Sequence, residues 1–212
     1  MIKDNLSAIL SSIPSEVTLV AVSKTKAVDR IKEAYESGQL DFGENKVQEM
    51  VEKAALLPKN IRWHMIGHLQ RNKVKYIAPF VSLIQSVDSS RLLNEIEKQG
   101  KKNERVIDCL LQVRIAQEET KFGLTYKDCD SLLQKFDCTN VRIRGLMGMA
   151  SFTANQYQIE IEFRSLLEYY NQHQPQQQWD ILSMGMSGDY PLALTCGSNM
   201  IRVGSSIFGA RN

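Results

Sequence analysis

Three observations in the 212-residue sequence predict an α/β protein folded as a single (β/α)8 TIM barrel with an extra helix at its N-terminus. Eight short runs rich in Val, Ile and Leu recur along the chain, with the near-continuous apolar character of parallel strands buried on both faces. Segments with apolar residues at helical spacing separate them. The last two runs end in turns rich in Gly and Ser, which is where such barrels place a phosphate site. An open doubly wound sheet is the alternative arrangement of the same elements. The length suits one domain spanning residues 1–212.

Taken in order, Leu6, Ile9, Leu10 and Ile13 mark a helix over about Asn5–Ile13 that Pro14 stops. Val17–Lys24 is the first strand, and Val28, Ile31 and Tyr35 mark a helix closed by Gly38. Leu40–Asn45 is the second strand, followed by the stripe Val47, Met50, Val51 and Ala54. Arg62–His68 is the third, with a helix through Val74 and Ile77 that ends before Pro79. Ser82–Asp88 is the fourth; Ser89 or Ser90 caps a helix carrying Leu92, Leu93 and Ile96, and Gly100 is expected to close it. Val106–Ile115 is the fifth strand, then a loop with Lys121 and Gly123, then a helix marked by Cys129, Leu132, Leu133 and Phe136. Val141–Ala150 is the sixth, followed by the most regular stripe, Ile159, Phe163, Leu166, Leu167 and Tyr170. The run QHQPQQQ (172–178) reads as a polar connector. Trp179–Gly185 and Met200–Gly204 are the last two strands.

Composition narrows the function classes. The formal net charge is +2, with Lys and Arg interspersed among Asp and Glu, so no electrostatic footprint for nucleic acid or an anionic membrane stands out. The four cysteines (109, 129, 138 and 196) lack metal-ligand spacing and read as reduced thiols. No metal site is expected. Without a signal-peptide pattern or a bilayer-length apolar run, the protein is expected to be cytoplasmic and monomeric.

The chemistry gathers at the strand ends. LSMGMSGDY (182–190) and MIRVGSSIFG (200–209) each pair an apolar strand with a Gly/Ser turn. Backbone N–H groups of small residues and a following helix N-terminus converge on an anion, so two such turns on consecutive strands make a phosphate cup. On the same rim lie Lys24 and Lys26, Glu44 and Asn45, His64 and His68, Met147 and Met149, Ser183 and Ser187, and Arg202, Gly204 and Ser205. A lysine in a partly desolvated pocket is nucleophilic enough to form a Schiff base. Lysine and phosphate cup together point to a Schiff-base aldolase or a pyridoxal 5′-phosphate (PLP) protein. Arg202 favours the second, because a cation beside the phosphate suits a pyridine nitrogen kept unprotonated. His64 alternates away from the rim and reads as a core histidine.

The segments AVSKTK (21–26), FGEN (42–45), WHMIGHLQRNK (63–73), GLMGMA (145–150), LSMGMSGDY (182–190) and IRVGSSIFGARN (201–212) resemble the YggS/PROSC family of PLP-binding homeostasis proteins along essentially the whole chain. The resemblance implies a lone barrel of the fold type III PLP class, similar to the N-terminal domain of alanine racemases. It implies that Lys24 bonds the cofactor as a Schiff base and that Ser187, Gly204 and Ser205 hold its phosphate. Arg202 would face the pyridine nitrogen, Asn45 and Met149 would lie near the ring, and Ser183 would join the cofactor-binding set. The racemases' C-terminal β-domain, with its tyrosine base, is expected to be absent, leaving Tyr190 and His68 as the free candidates for a second base. The family's implied role is to bind, buffer and hand over PLP, with apo-PLP enzymes as recipients and no assigned catalytic residue. The competing expectation is a low-activity PLP enzyme, such as an amino-acid racemase or lyase.

Overall fold

The computed structural model describes residues 1–118 and 122–209. Eight parallel strands close on themselves in sequence order: β1 (Thr18–Val22), β2 (Asp41–Glu44), β3 (Arg62–Met65), β4 (Leu83–Val87), β5 (Ile107–Val113), β6 (Val141–Gly148), β7 (Ile181–Met186) and β8 (Met200–Val203). Closure is made by β1 on β8, with Thr18 opposite Met200 and Ala21 opposite Val203. This is the (β/α)8 barrel read from the sequence.

Most strands stop short of the stretches read from composition. β1 ends at Val22, two residues before Lys24, and β3 ends at Met65, three before His68. The residues beyond the ladder are free to turn toward the mouth, where ligands of such barrels bind.

Helices α1 (Ile2–Ser12), α2 (Val28–Glu36), α3 (Val47–Leu56), α4 (Val74–Ile77), α5 (Ser90–Lys102), α6 (Tyr126–Gln134), α7 (Gln156–Gln177), α8 (Tyr190–Thr195) and α9 (Ser205–Phe208) lie around the barrel. α1 starts earlier than expected and buries Ile2, Leu6 and Ile9 as one stripe. It packs against α2 and α9, and Asn5 Nδ2 donates to the Ile207 carbonyl at 2.9 Å. Ser89 caps α5 by accepting from Leu92 N–H. A capping box of Thr125 and Asp128, which the apolar stripe alone did not signal, opens α6.

Two expectations need correction. Gly100 does not close α5, which continues to Lys102. The glycine is there for contact, since a Cβ would lie 2.7 Å from the Asn140 carbonyl oxygen and 2.9 Å from that of Arg105. The run 172–178 is no connector either, because α7 continues through it to Gln177 with Pro175 in its last turns. Glutamine is a good helix former. His173 anchors this turn by packing on Tyr169 and Trp179, with ring centroids 4.2 and 5.8 Å away. No helical stripe marks the short α8 between the last two strands.

Apolar burial forms two layers. The larger lies between strands and helices and includes Phe42, Trp63, Leu92, Phe163 and Trp179. The smaller plugs the barrel itself: Val20, Leu83, Leu110, Met147, Ile181 and Met200, with Met149 packed on it. Two residues further along β4, β5, β7 and β8, on the same inward face, stand Gln85, Gln112, Ser183 and Arg202, all buried. Polar groups therefore sit on the apolar plug, on the side where the chain leaves the strands. Among the described residues no helix is long and apolar enough to cross a membrane.

Candidate functional site

The mouth of the barrel opens into a cavity of about 870 Å³. Of the residues singled out in the sequence, Lys24, Lys26, Asn45, His68, Met149, Ser187, Arg202, Gly204 and Ser205 line it. Ser183 does not. It is fully buried below Arg202, because the β7–β8 register sets Ser183 opposite Met200 and leaves Met186 opposite Arg202. Its hydroxyl supports the arginine and does not reach the cavity wall.

Lys24 is presented by a clamped turn. Thr25 adopts φ +64°, a left-handed conformation that a β-branched residue rarely takes and that costs on the order of 1–3 kcal/mol. Both flanking residues are held. Thr25 N–H donates to Glu49 Oε1 at 2.6 Å, and Ser23 Oγ donates to Glu44 Oε1 at 2.6 Å. Lys53, buried on α3, donates to the Ser23 carbonyl at 2.8 Å and bridges Glu44 and Glu49 at 2.8 and 2.6 Å. Lys26 lines the same cavity, so exposure to it does not separate the two lysines; the anchor of the amine does. Lys26 Nζ donates to the Gly209 carbonyl at 3.1 Å, which ties this amine to the end of α9.

The cup forms where β7 and β8 run out. Asp189 Oδ1 accepts from Met186 N–H at 2.6 Å, closing the turn that carries Ser187 and Gly188. Ser187 Oγ accepts from Gly204 N–H at 3.2 Å, so the two turns touch. The N–H groups of Ser205 and Ser206 open α9 and have no acceptor within it. Hydroxyls and amide donors therefore converge on one corner of the cavity.

Arg202 rises from β8 on the same side. It is 3 % exposed, donating from Nη1 to Ser183 Oγ at 2.6 Å and from Nη2 to the Gly148 carbonyl at 2.9 Å. Burial pushes the guanidinium pKa down to about 10, against the attraction of Asp189, which still leaves it charged near neutral pH. Asn45 follows β2. Gly67 packs so closely on it that a Cβ would lie 2.5 Å from the Asn45 carbonyl oxygen, so this approach requires glycine.

The remaining wall includes residues the sequence reading did not single out: Val22, Ile66, Gln112, Phe122 and Ser151. Inward alternation on β5 could have identified Gln112, whose Nε2 donates to the Phe122 carbonyl at 2.9 Å. Of the two candidate second bases, His68 lines the cavity, stacked on Phe122 with centroids 4.0 Å apart and its Nδ1 2.9 Å from Asp88 Oδ2. Tyr190 opens α8 and is off the cavity wall. Lys121 and residues 210–212 of the last motif lie outside the described residues. His64 lies inside the barrel, hydrogen-bonded through both ring nitrogens. Among the described residues no group of three or more His, Cys, Asp or Glu side chains is arranged to hold a metal.

An amine, an anion cup and a buried guanidinium in one barrel mouth can engage an aldehyde, a phosphate and a ring nitrogen respectively. The family comparison places this barrel in the alanine-racemase-like class. The alanine racemase N-terminal domain profile matches residues 1–212. A Bartonella henselae alanine racemase shares the fold, with a TM-score of 0.76 at 17 % identity, over 99 % of this chain and 58 % of that one. Within the class, the Haemophilus influenzae "pyridoxal phosphate homeostasis protein" is 40 % identical over 203 residues, 92 % of this chain and 86 % of the relative. PipY of Synechococcus elongatus, solved with PLP bound, superposes with a TM-score of 0.92 at 34 % identity, covering 99 % of this chain and 100 % of its own. The chain belongs to the YggS/PROSC family of pyridoxal phosphate homeostasis proteins.

Proposed function

We propose that this protein binds PLP as a Schiff base on Lys24 and serves in intracellular PLP homeostasis as a buffer or carrier, without robust catalysis. The observation that carries the reading is the convergence of Lys24, the Ser187–Gly204–Ser205 cup and the buried Arg202 on one cavity. PLP bound to PipY and the homeostasis role named for the H. influenzae relative support it.

PLP, when bound, supplies an electrophilic carbonyl and an electron-withdrawing ring. This chain's residues set how far that chemistry goes. The Lys53 clamp holds the Lys24 turn, the serines and amides would receive the phosphate, and Asn45 and Met149 would lie near the ring. Arg202 can only donate, so a ring nitrogen held against it would stay an acceptor, and the protonated ring that best stores a carbanion's electrons would be disfavoured. His68 is the one candidate second base on the wall, and its ring is already engaged by Phe122 and Asp88. The site therefore suits holding the cofactor more than turning substrates over.

The test is the visible spectrum of the purified protein before and after borohydride reduction, followed by peptide mapping. A yellow protein that bleaches and leaves a pyridoxyl group on Lys24 is expected. A colourless protein would favour the aldolase reading. Sustained α-proton exchange of L-amino acids into deuterated water would make the protein an enzyme.

A further inference from the structure

Beneath Arg202, polar side chains cross the apolar plug from the cavity to the opposite end of the barrel. Arg202 Nη1 donates to Ser183 Oγ at 2.6 Å, and Ser183 Oγ donates to Gln85 Oε1 at 2.7 Å. Gln85 Nε2 approaches His64 Nδ1 at 3.1 Å and the Met200 sulfur at 3.3 Å. His64 Nε2 lies 3.0 Å from Asp41 Oδ1, and Asp41 is ion-paired with Arg62 at the far mouth. Ser183 and Gln85 are fully buried, Arg202 and His64 nearly so.

Hydrogen counting gives the line a direction. A guanidinium only donates, so Ser183 must accept from Arg202 and has its single hydrogen left for Gln85 Oε1. That fixes the amide, whose N–H then faces His64 and meets a lone pair on Nδ1. The histidine proton is therefore on Nε2, directed at the Asp41 carboxylate. Every acceptor end faces Arg202 and every donor end faces away from it. A buried cation is costly unless surrounding groups compensate it. The Gly148 carbonyl and this row of aligned dipoles, ending in a carboxylate, do so, and aligned hydrogen bonds polarise one another.

We propose that Gln85 and His64, anchored by Asp41, are positioning residues that hold Arg202 as a fixed donor toward the cavity and thereby set the affinity of the site for the cofactor's ring nitrogen. The inference rests on the PLP reading above for its ligand and on the apo protein for its geometry.

The test uses Gln85→Met, which keeps the volume and removes the links to Ser183 and His64. PLP and 1-deazapyridoxal 5′-phosphate, in which a C–H replaces the ring nitrogen, are titrated into wild-type and variant protein. PLP affinity is expected to fall about tenfold, the size of one hydrogen bond to a charged group, while affinity for the deaza analogue changes by less than about twofold. Equal losses for both ligands, or no loss for PLP in a folded variant, would overturn the proposal. Should Gln85→Met not fold, Ser183→Ala cuts the same line with a smaller lesion and the same outcomes apply. Nitrogen-15 NMR of the apo proteins gives an independent readout. In wild type His64 should carry its proton on Nε2, and the Arg202 Nη protons should exchange at least about tenfold more slowly than in Gln85→Met. Should wild type bind neither ligand, the PLP reading fails and the NMR comparison alone decides the positioning role, with equal exchange rates overturning it.

Discussion

Strand β2 begins with Asp41 and ends with Glu44, and these two buried carboxylates live under opposite rules. Burial works to raise both pKa values. At Asp41 it is overcome by hydrogen bonds from Arg62 and His64, which hold the carboxyl below its ordinary range. At Glu44 burial wins over the hydrogen bonds from Lys53 and Ser23, and the pKa is raised. Asp41 belongs to an end of the barrel where charges are matched: Arg142 pairs with Asp108, and Arg144 with Asp108 and Asp180. Glu44 lies under the turn that presents Lys24, and its Oε2 has no hydrogen-bond partner among the described residues. One end of the barrel has its charged groups paired for stability. The other carries strain at Thr25 and an unsatisfied carboxylate oxygen, the features expected where geometry serves a ligand.

The comparison breaks most completely at Lys24. Lys24→Ala should abolish covalent capture of PLP on reduction, with no transfer of the label to Lys26, whose amine is held at the end of α9. A pyridoxyl group on Lys26 in mass-spectrometric mapping would reverse the assignment.

Next in size are the two ends of β2. Asp41→Asn should cost about 2 kcal/mol at neutral pH, the size of a hydrogen bond to a charged group, because its partner Arg62 is half exposed. Since the folded pKa of Asp41 is depressed, its contribution is present above the unfolded value near 4 and is lost as pH falls through the folded value. Glu44 has the opposite sign. Its contribution is full below the unfolded value near 4.3 and declines as pH rises through the raised folded value. Urea unfolding followed from about pH 3 to 7 should show Asp41→Asn flattening the acid limb and Glu44→Gln flattening the decline above it. Slopes of the same sign for both variants would contradict the contrast.

Smaller effects separate ligand from scaffold. Ser187→Ala and Ser205→Ala should each weaken PLP binding by about 1–2 kcal/mol and pyridoxal, which lacks the phosphate, much less. Calorimetric titration with both ligands distinguishes a phosphate contact from a fold support. Asp108→Asn, at the matched end, should cost about 1 kcal/mol of stability and leave PLP affinity unchanged.

The barrel was legible because parallel strands are apolar on both faces, so composition alone marks them. Their ends were not, because Ser23, Ile66 and Gly67 continue the same texture beyond the ladder. Lys24, Arg202 and the Gly/Ser turns were legible as residue types that barrels place at strand ends. Ser183 shares a strand-end motif with Ser187, and a motif gives no depth; only the β7–β8 register sets it below Arg202. The partnership of Asp41, His64 and Gln85 was hidden for the same reason. These residues lie far apart in the chain and meet only when three strands align.

Barrel closure also dictates when the site comes into being. Lys26 and the Phe208 carbonyl it reaches are 182 residues apart in the chain. At roughly 5–20 residues per second of synthesis, the first strand waits about 10–40 s for its last neighbour. Until β8 is made, β1 has an open edge and Lys24 has no cup opposite it. On the proposed reading, a nascent chain would present the amine long before it could retain a phosphorylated aldehyde, and truncated products of translation would be unable to hold it.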